Sequence, residues 1–229
     1  NNTLKRYEML YKLIVFLTLG LYTGYIIPKL SLKLIEYKKK TKNIDGNEAQ
    51  PSDSRINILI ILFNGAAWCF TAYTQESLFA AVLICIQISL GLIFAYIDIK
   101  IRIIPNELIL ILLTLGITYQ AFSYGLEGIL GSVICMIFIM IVFTALATFM
   151  GLGKVGAGDV KLAGAIGFAL GYPSVVTAMG AMAAVLLGYI LIGLALRKIR
   201  LTTMLPLAPF LVAGYIFALV TFTVNLNIA

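Results

Sequence analysis

The sequence predicts an all-α protein that crosses a membrane about eight times, and three observations lead there. The 229 residues are 61% hydrophobic and 12% charged, with a mean hydropathy of +1.02, which no soluble domain of this size would keep in water. Apolar runs recur along most of the chain, and a run of about 18 residues or more at about 1.5 Å per residue is long enough for a hydrocarbon core of about 30 Å. The runs lack the alternation of barrel strands, so helices are the way to satisfy every peptide group in lipid.

The apolar segments fall at 10–27, 56–74, 77–99, 105–122, 128–150, 160–171, 173–196 and 206–224. The first is long and has no A-x-A-like exit, so it reads as a span rather than a cleaved signal. Trp68 in the second, with the tyrosines, reads as packing or interfacial anchoring. The third ends at Asp98 and is followed by Lys100 and Arg102. Glu107 places an anion at the N-terminus of the fourth, where the helix dipole favours it. The fifth is a plain apolar run. The sixth is short: twelve residues make only about 18 Å of helix. Its Ala163, Gly167 and Gly171, spaced by four, form a stripe of small residues that lets a neighbouring helix approach. The seventh is apolar throughout, and Pro206 and Pro209 shape the opening of the eighth, a role in a substrate groove being the alternative reading.

Loop charge supports the short sixth span. If all eight segments cross, the loops holding 28–55, 100–104, 151–161 and 197–205 share one side, and 14 of the 17 Lys and Arg lie in them. The opposite loops, Thr74 to Ser77, Ser123 to Glu127 and Gly171 to Pro173, carry no Lys or Arg. Positive charge marks the first set as cytoplasmic. Were the sixth segment not to cross, Arg197, Lys198 and Arg200 would move outside. The expected organisation is therefore a single polytopic domain over 1–229 with a short basic cytoplasmic loop at 28–55. Its Pro28 to Lys42 stretch is basic and apolar, suited to the membrane interface. The acids Glu36, Asp45, Glu48 and Asp53 lie in the same loop.

Two carboxylates stand at the edges of apolar segments, where ionised groups are costly: Asp98 at the end of the third and Asp159 at the start of the sixth. The topology puts both at the same cytoplasmic depth. The chain has no histidine, which excludes a Ser-His dyad and an H-E-x-x-H zinc site. Cys69, Cys85 and Cys135 stand alone in apolar segments, so neither a thiolate metal site nor a disulfide framework is expected. Counting does not remove a Ser-Lys dyad, but the lysines cluster in loops and no serine lies in a distinctive context, so carboxylate chemistry is what remains. Two close carboxyls cannot both ionise easily; one stays protonated to polarise a carbonyl while the other takes a proton from water. Gly151, Gly153, Gly156 and Gly158 let a substrate backbone come near Asp159, and Lys154 and Lys161 flank it. The competing readings are ordinary: Asp159 as a helix cap, Asp98 as a solvated partner of Lys100 or Arg102, and both lysines as positive-inside charges. A cation or proton transporter using the two acids, and a scaffold in which they are incidental, are the rival functions.

At these residues the chain resembles the type IV prepilin peptidase family, GxGD-type membrane aspartyl proteases of pilus, type II secretion and competence systems. The resemblance covers residues 90–215 in three blocks. Asp98 is followed by a basic stretch and Ile104-Pro105-Asn106. Gly153-Lys-Val-Gly-Ala-Gly-Asp-Val-Lys-Leu-Ala-Gly-Ala-Ile-Gly167 contains the GxGD signature Gly156 to Asp159. Leu205-Pro-Leu-Ala-Pro-Phe-Leu-Val-Ala-Gly214 is similar to the proline-rich opening of the family's last span. The resemblance implies that Asp98 and Asp159 are the catalytic pair, supported by Gly156, Gly158 and Lys161, with water as nucleophile and no metal. It implies an inner-membrane, multi-pass enzyme. Its partners would be prepilin or pseudopilin substrates, whose short basic leader ends in glycine and precedes a hydrophobic helix, and the lipid bilayer; no nucleic acid is expected. Many relatives also N-methylate the new N-terminus, which makes S-adenosylmethionine the expected cofactor of that second activity. A presenilin-like protease cutting within the bilayer is the nearest enzymatic alternative. The chain departs from many relatives in lacking two C-x-x-C pairs between the first two spans, so no zinc-held subdomain is expected.

Overall fold

The computed structural model describes residues 2–42, 53–149, 156–197 and 205–225. These residues are helical, with no strand among them: α1 Asn2–Lys42, α2 Ser54–Thr74, α3 Leu78–Ile101, α4 Asn106–Phe149, α5 Ala157–Leu170, α6 Ser174–Ala195 and α7 Ala208–Asn225. Five of them, α1 to α4 and α6, are long and apolar enough to cross a membrane. The chain divides into two compact units, one of residues 1–97 with 220–229 and the other of residues 98–219.

In the first unit α1 and α2 run antiparallel at close range. A Cβ on Gly20 would come within 2.8 Å of the Trp68 Cβ, and one on Gly24 within 2.8 Å of the Ile61 Cα, so only glycine permits this approach. A polar network fastens the contact. The buried Asn64 amide donates to the Gly20 carbonyl and to Thr23 Oγ1, both at 2.8 Å, and its Oδ1 accepts from Ser89 of α3 at 3.0 Å. Trp68 Nε1 donates to Ser89 Oγ at 3.0 Å, so the indole is both a packing group and a hydrogen-bonding one.

Residues 28–42, expected in a loop, continue α1 as helix through Pro28. Proline inside a helix costs about 3 kcal/mol through a lost hydrogen bond and a clash with the preceding turn. The buried stripe Phe16, Gly20, Gly24, Ile27, Ser31 and Ile35 keeps its spacing of three and four on both sides of Pro28, and burial of that face offsets the cost.

In the second unit the predicted segments 105–122 and 128–150 together form α4, which breaks inside. Gly125 has φ 65 and ψ −151, a conformation that glycine alone adopts readily. The contacts show that the chain reverses there. Gly116 lies against Ala169 of α5, and Ile139 and Met140 lie against Gly167 and Gly164. In a straight helix residues 116 and 139 would be about 35 Å apart, whereas 164 and 169 are only about 7.5 Å apart. The two halves of α4 therefore fold back and enclose α5.

That enclosure explains how α5 can be short. At 14 residues it is about 21 Å long, yet every residue from Leu162 to Leu170 is buried, so its end lies in protein rather than in lipid. The small-residue stripe serves as expected: Gly167 meets Cys135 O and Ile139, and Gly171 meets Ser132 and Gln120. Gly171, at φ 64, ends the helix, and the buried Gln120 amide donates to the Ala169 carbonyl at 3.1 Å. Further along, α7 lies antiparallel on α6, with Gly214 in close contact with the Ala178 carbonyl and Met182, and Phe210 edge-on to Tyr189.

Candidate active site

Asp98 sits in the last turn of α3, which ends in a sharp bend. The Arg102 N–H donates to the Asp98 carbonyl at 2.9 Å while Arg102 itself takes φ 52, a left-handed helix stop. The chain then passes through Ile103 and Ile104, outside any helix, to the buried Pro105 and starts α4 at Asn106. Asp98 is not a solvated carboxylate: it is 4% exposed, and among the described residues it makes no ion pair, although the Arg102 guanidinium is near enough to act on it electrostatically.

What holds Asp98 is the backbone of the third sequence block. The Ala208 N–H, at the first residue of α7, donates to Asp98 Oδ2 at 3.1 Å in a buried setting. The first turn of α7 explains why this donor is free. Pro209 has no N–H, and the amides of Phe210 and Leu211 are both committed to the Leu207 carbonyl at 3.1 Å. The N–H of Ala208 is left for the carboxylate, at the end of the helix where negative charge is favoured. Sequence reading assigned Pro206 and Pro209 to shaping this opening and missed the amide between them. The available signal was the proline at 209, which removes one first-turn donor.

Asp159 lies in the first turn of α5. Its Oδ2 accepts from the Gly156 N–H at 3.2 Å, half of a capping box. Asp159 is therefore not the N-cap of a helix starting at Val160 but the third residue of a helix that Gly156 caps, and this bond does not compete with a chemical role. A Cβ on Gly156 would stand 3.3 Å from that oxygen, and one on Gly158 would stand 3.3 Å from the Ile104 Cβ. The glycines thus allow the start of α5 to lie on the Ile104 to Asn106 connection. Lys161 joins the same two elements, its Nζ 3.4 Å from Asn106 Oδ1. Of the other expected site residues, Glu107 opens α4 as foreseen. Lys154, Gly151 and Gly153 lie outside the described residues.

The two acids act on each other. Burial pushes the Asp159 carboxyl up to about 6, the Asp98 carboxylate adds to the rise, and the Gly156 N–H partly counters both. The pair is then best treated as one titrating unit that keeps a proton until the pH nears neutrality. Each carboxyl is pinned through one oxygen by a main-chain N–H, leaving its other oxygen free of protein hydrogen bonds among the described residues. Such an arrangement can hold a water and polarise a carbonyl. No described group of three or more His, Cys, Asp or Glu could hold a metal ion.

No curated protein and no solved structure matches the chain. The family model described as the type IV leader peptidase family matches residues 84–197, a span that contains both aspartates, the connection beneath them and all of α5. By that match the chain belongs to the type IV leader peptidase family.

Proposed function

We propose that Asp98 and Asp159 cleave the basic leader from type IV prepilin-like proteins at the cytoplasmic face of the membrane. The observation that carries this reading is that two acids distant in sequence lie near enough for Asp98 to act on the Asp159 carboxyl, each of them held by a backbone N–H. The ionised member of the pair takes a proton from water as it attacks the scissile carbonyl. The protonated member donates to the carbonyl oxygen, and collapse of the tetrahedral species passes a proton to the leaving amine. Membership of a peptidase family favours this over ion transport. The cytoplasmic side and the eight crossings rest on loop charge, and the fold-back of α4 at Gly125 accommodates that number.

N-methylation with S-adenosylmethionine is a separate expectation from the resemblance. The groove beside the site does not suit that cofactor. It measures about 210 Å³, below the usual range of about 300–1,000 Å³ for ligand pockets. It is lined by one lysine and no carboxylate, and would repel a sulfonium and an ammonium.

The test is to incubate purified protein in lipid with candidate prepilins and read the products by mass spectrometry, with and without S-adenosylmethionine. Cleavage after the leader, abolished in Asp98→Asn and Asp159→Asn, is the expected result. An intact substrate under all conditions, or cleavage inside the apolar helix, rejects the proposal. The same spectra read methylation as an added 14 Da, on the order of one methylene.

A further inference from the structure

We infer that the groove between the two halves of α4 and α5 is the subsite for the apolar residues on the mature side of the cut, an inference that rests on the proposed peptidase function. The groove is lined by Ile109, Leu113, Met136, Met140 and Ala165, with Lys161 and Asn106 also on its wall. It adjoins the site: Lys161 follows Asp159 by two residues, and Ala165 lies one further turn along α5, about 6 Å on.

Charge and shape select the occupant. A basic leader is repelled by Lys161 and gains nothing from an apolar wall, whereas an apolar chain leaving the dyad on the other side meets hydrocarbon. One turn of helix about 10 Å wide and 5.4 Å long fills roughly 400 Å³, so a cavity of about 210 Å³ admits projecting side chains and not a whole helix. The substrate helix lies over the groove with side chains inserted. Two methionines in the wall, with three rotatable bonds each, adapt to differing side chains. Gly164 allows Met140 its position, since a Cβ there would overlap the Met140 Cγ.

The experiment compares two substrates: a full prepilin and a short peptide that spans the cut but ends before the apolar segment. Ala165→Leu fills the groove and Met136→Ala removes part of its wall. With the full substrate, Ala165→Leu should raise KM by about tenfold and Met136→Ala by about threefold, with kcat within about twofold. Both variants should cut the short peptide as the wild type does. Equal losses on both substrates, as expected if a lipid chain fills the groove or the dyad is disturbed, overturn the inference, as does no change on either. Should Ala165→Leu fail to fold, Met136→Ala alone decides. A wild type that cuts neither substrate rejects the peptidase reading itself, whereas a wild type that cuts both, with variants indifferent to the apolar segment, rejects only the subsite.

Discussion

Replacing Ala208 with proline removes one N–H from the site and leaves the helix that carries it largely undisturbed. Ala208 is the first residue of α7, with Leu207 as the cap whose carbonyl accepts from Phe210 and Leu211. Proline is favoured at this first position because its φ is already helical and the amide it lacks has no intrahelical partner. Here that amide does have a partner, Asp98 Oδ2 at 3.1 Å. A hydrogen bond to a charged group contributes about 1.5–3 kcal/mol, and about 1.4 kcal/mol is a factor of ten. The loss in kcat/KM should therefore be about 10- to 100-fold, and the proline ring, standing where the hydrogen was, adds to it by pushing the carboxylate aside. Ala208→Gly keeps the N–H and should remain within about threefold of wild type. The assay is steady-state cleavage in lipid, with circular dichroism to verify the helix content. Wild-type kcat/KM in Ala208→Pro would refute the claim that this amide positions Asp98.

Asp98→Asn and Asp159→Asn should each insert in the membrane and lose cleavage by at least about a thousandfold, because each removes half of the proton-handling pair; substantial activity in either rejects the assignment. The cleavage rate should fall with rising pH above about 6, by about tenfold per unit in kcat/KM, because the pair then loses the proton that Asp159 and Asp98 hold between them; a flat profile from pH 6 to 8 would contradict it. The sign carries over to stability. The folded pKa of Asp159 is raised, so its contribution is complete below the unfolded value and is lost as pH rises through about 6. Thermal unfolding of Asp159→Asn should therefore match the wild type near pH 4 and exceed it at pH 8, and a lower midpoint at pH 8 would contradict the burial of that charge. Chelators should leave both cleavage and the unfolding midpoint unchanged, since the chain has no histidine and its three cysteines lie on α2, α3 and α4; stoichiometric zinc whose removal abolishes cleavage and whose return restores it would overturn this.

The all-helical membrane class, most of the helical segments and two candidate acids were legible in the order of residues alone. Hydrophobic length is a property of contiguous residues, so the helical segments could be read with their ends close to α2, α3, α6 and α7. The cost of a carboxylate beside hydrocarbon is likewise local, and it singled out Asp98 and Asp159 without any knowledge of their neighbours. Other features were not local. Whether the helix continues through Pro28 depended on a buried face that persists on either side of it. That α4 reverses at Gly125 and encloses α5 was decided by contacts among residues 116, 139, 140 and 164–169. The Ala208 amide was invisible for a more basic reason. A backbone N–H carries no letter in the sequence, and only the tertiary structure, by spending every other first-turn donor of α7 within the helix and bringing the remaining one to Asp98, could show that it belongs to the site.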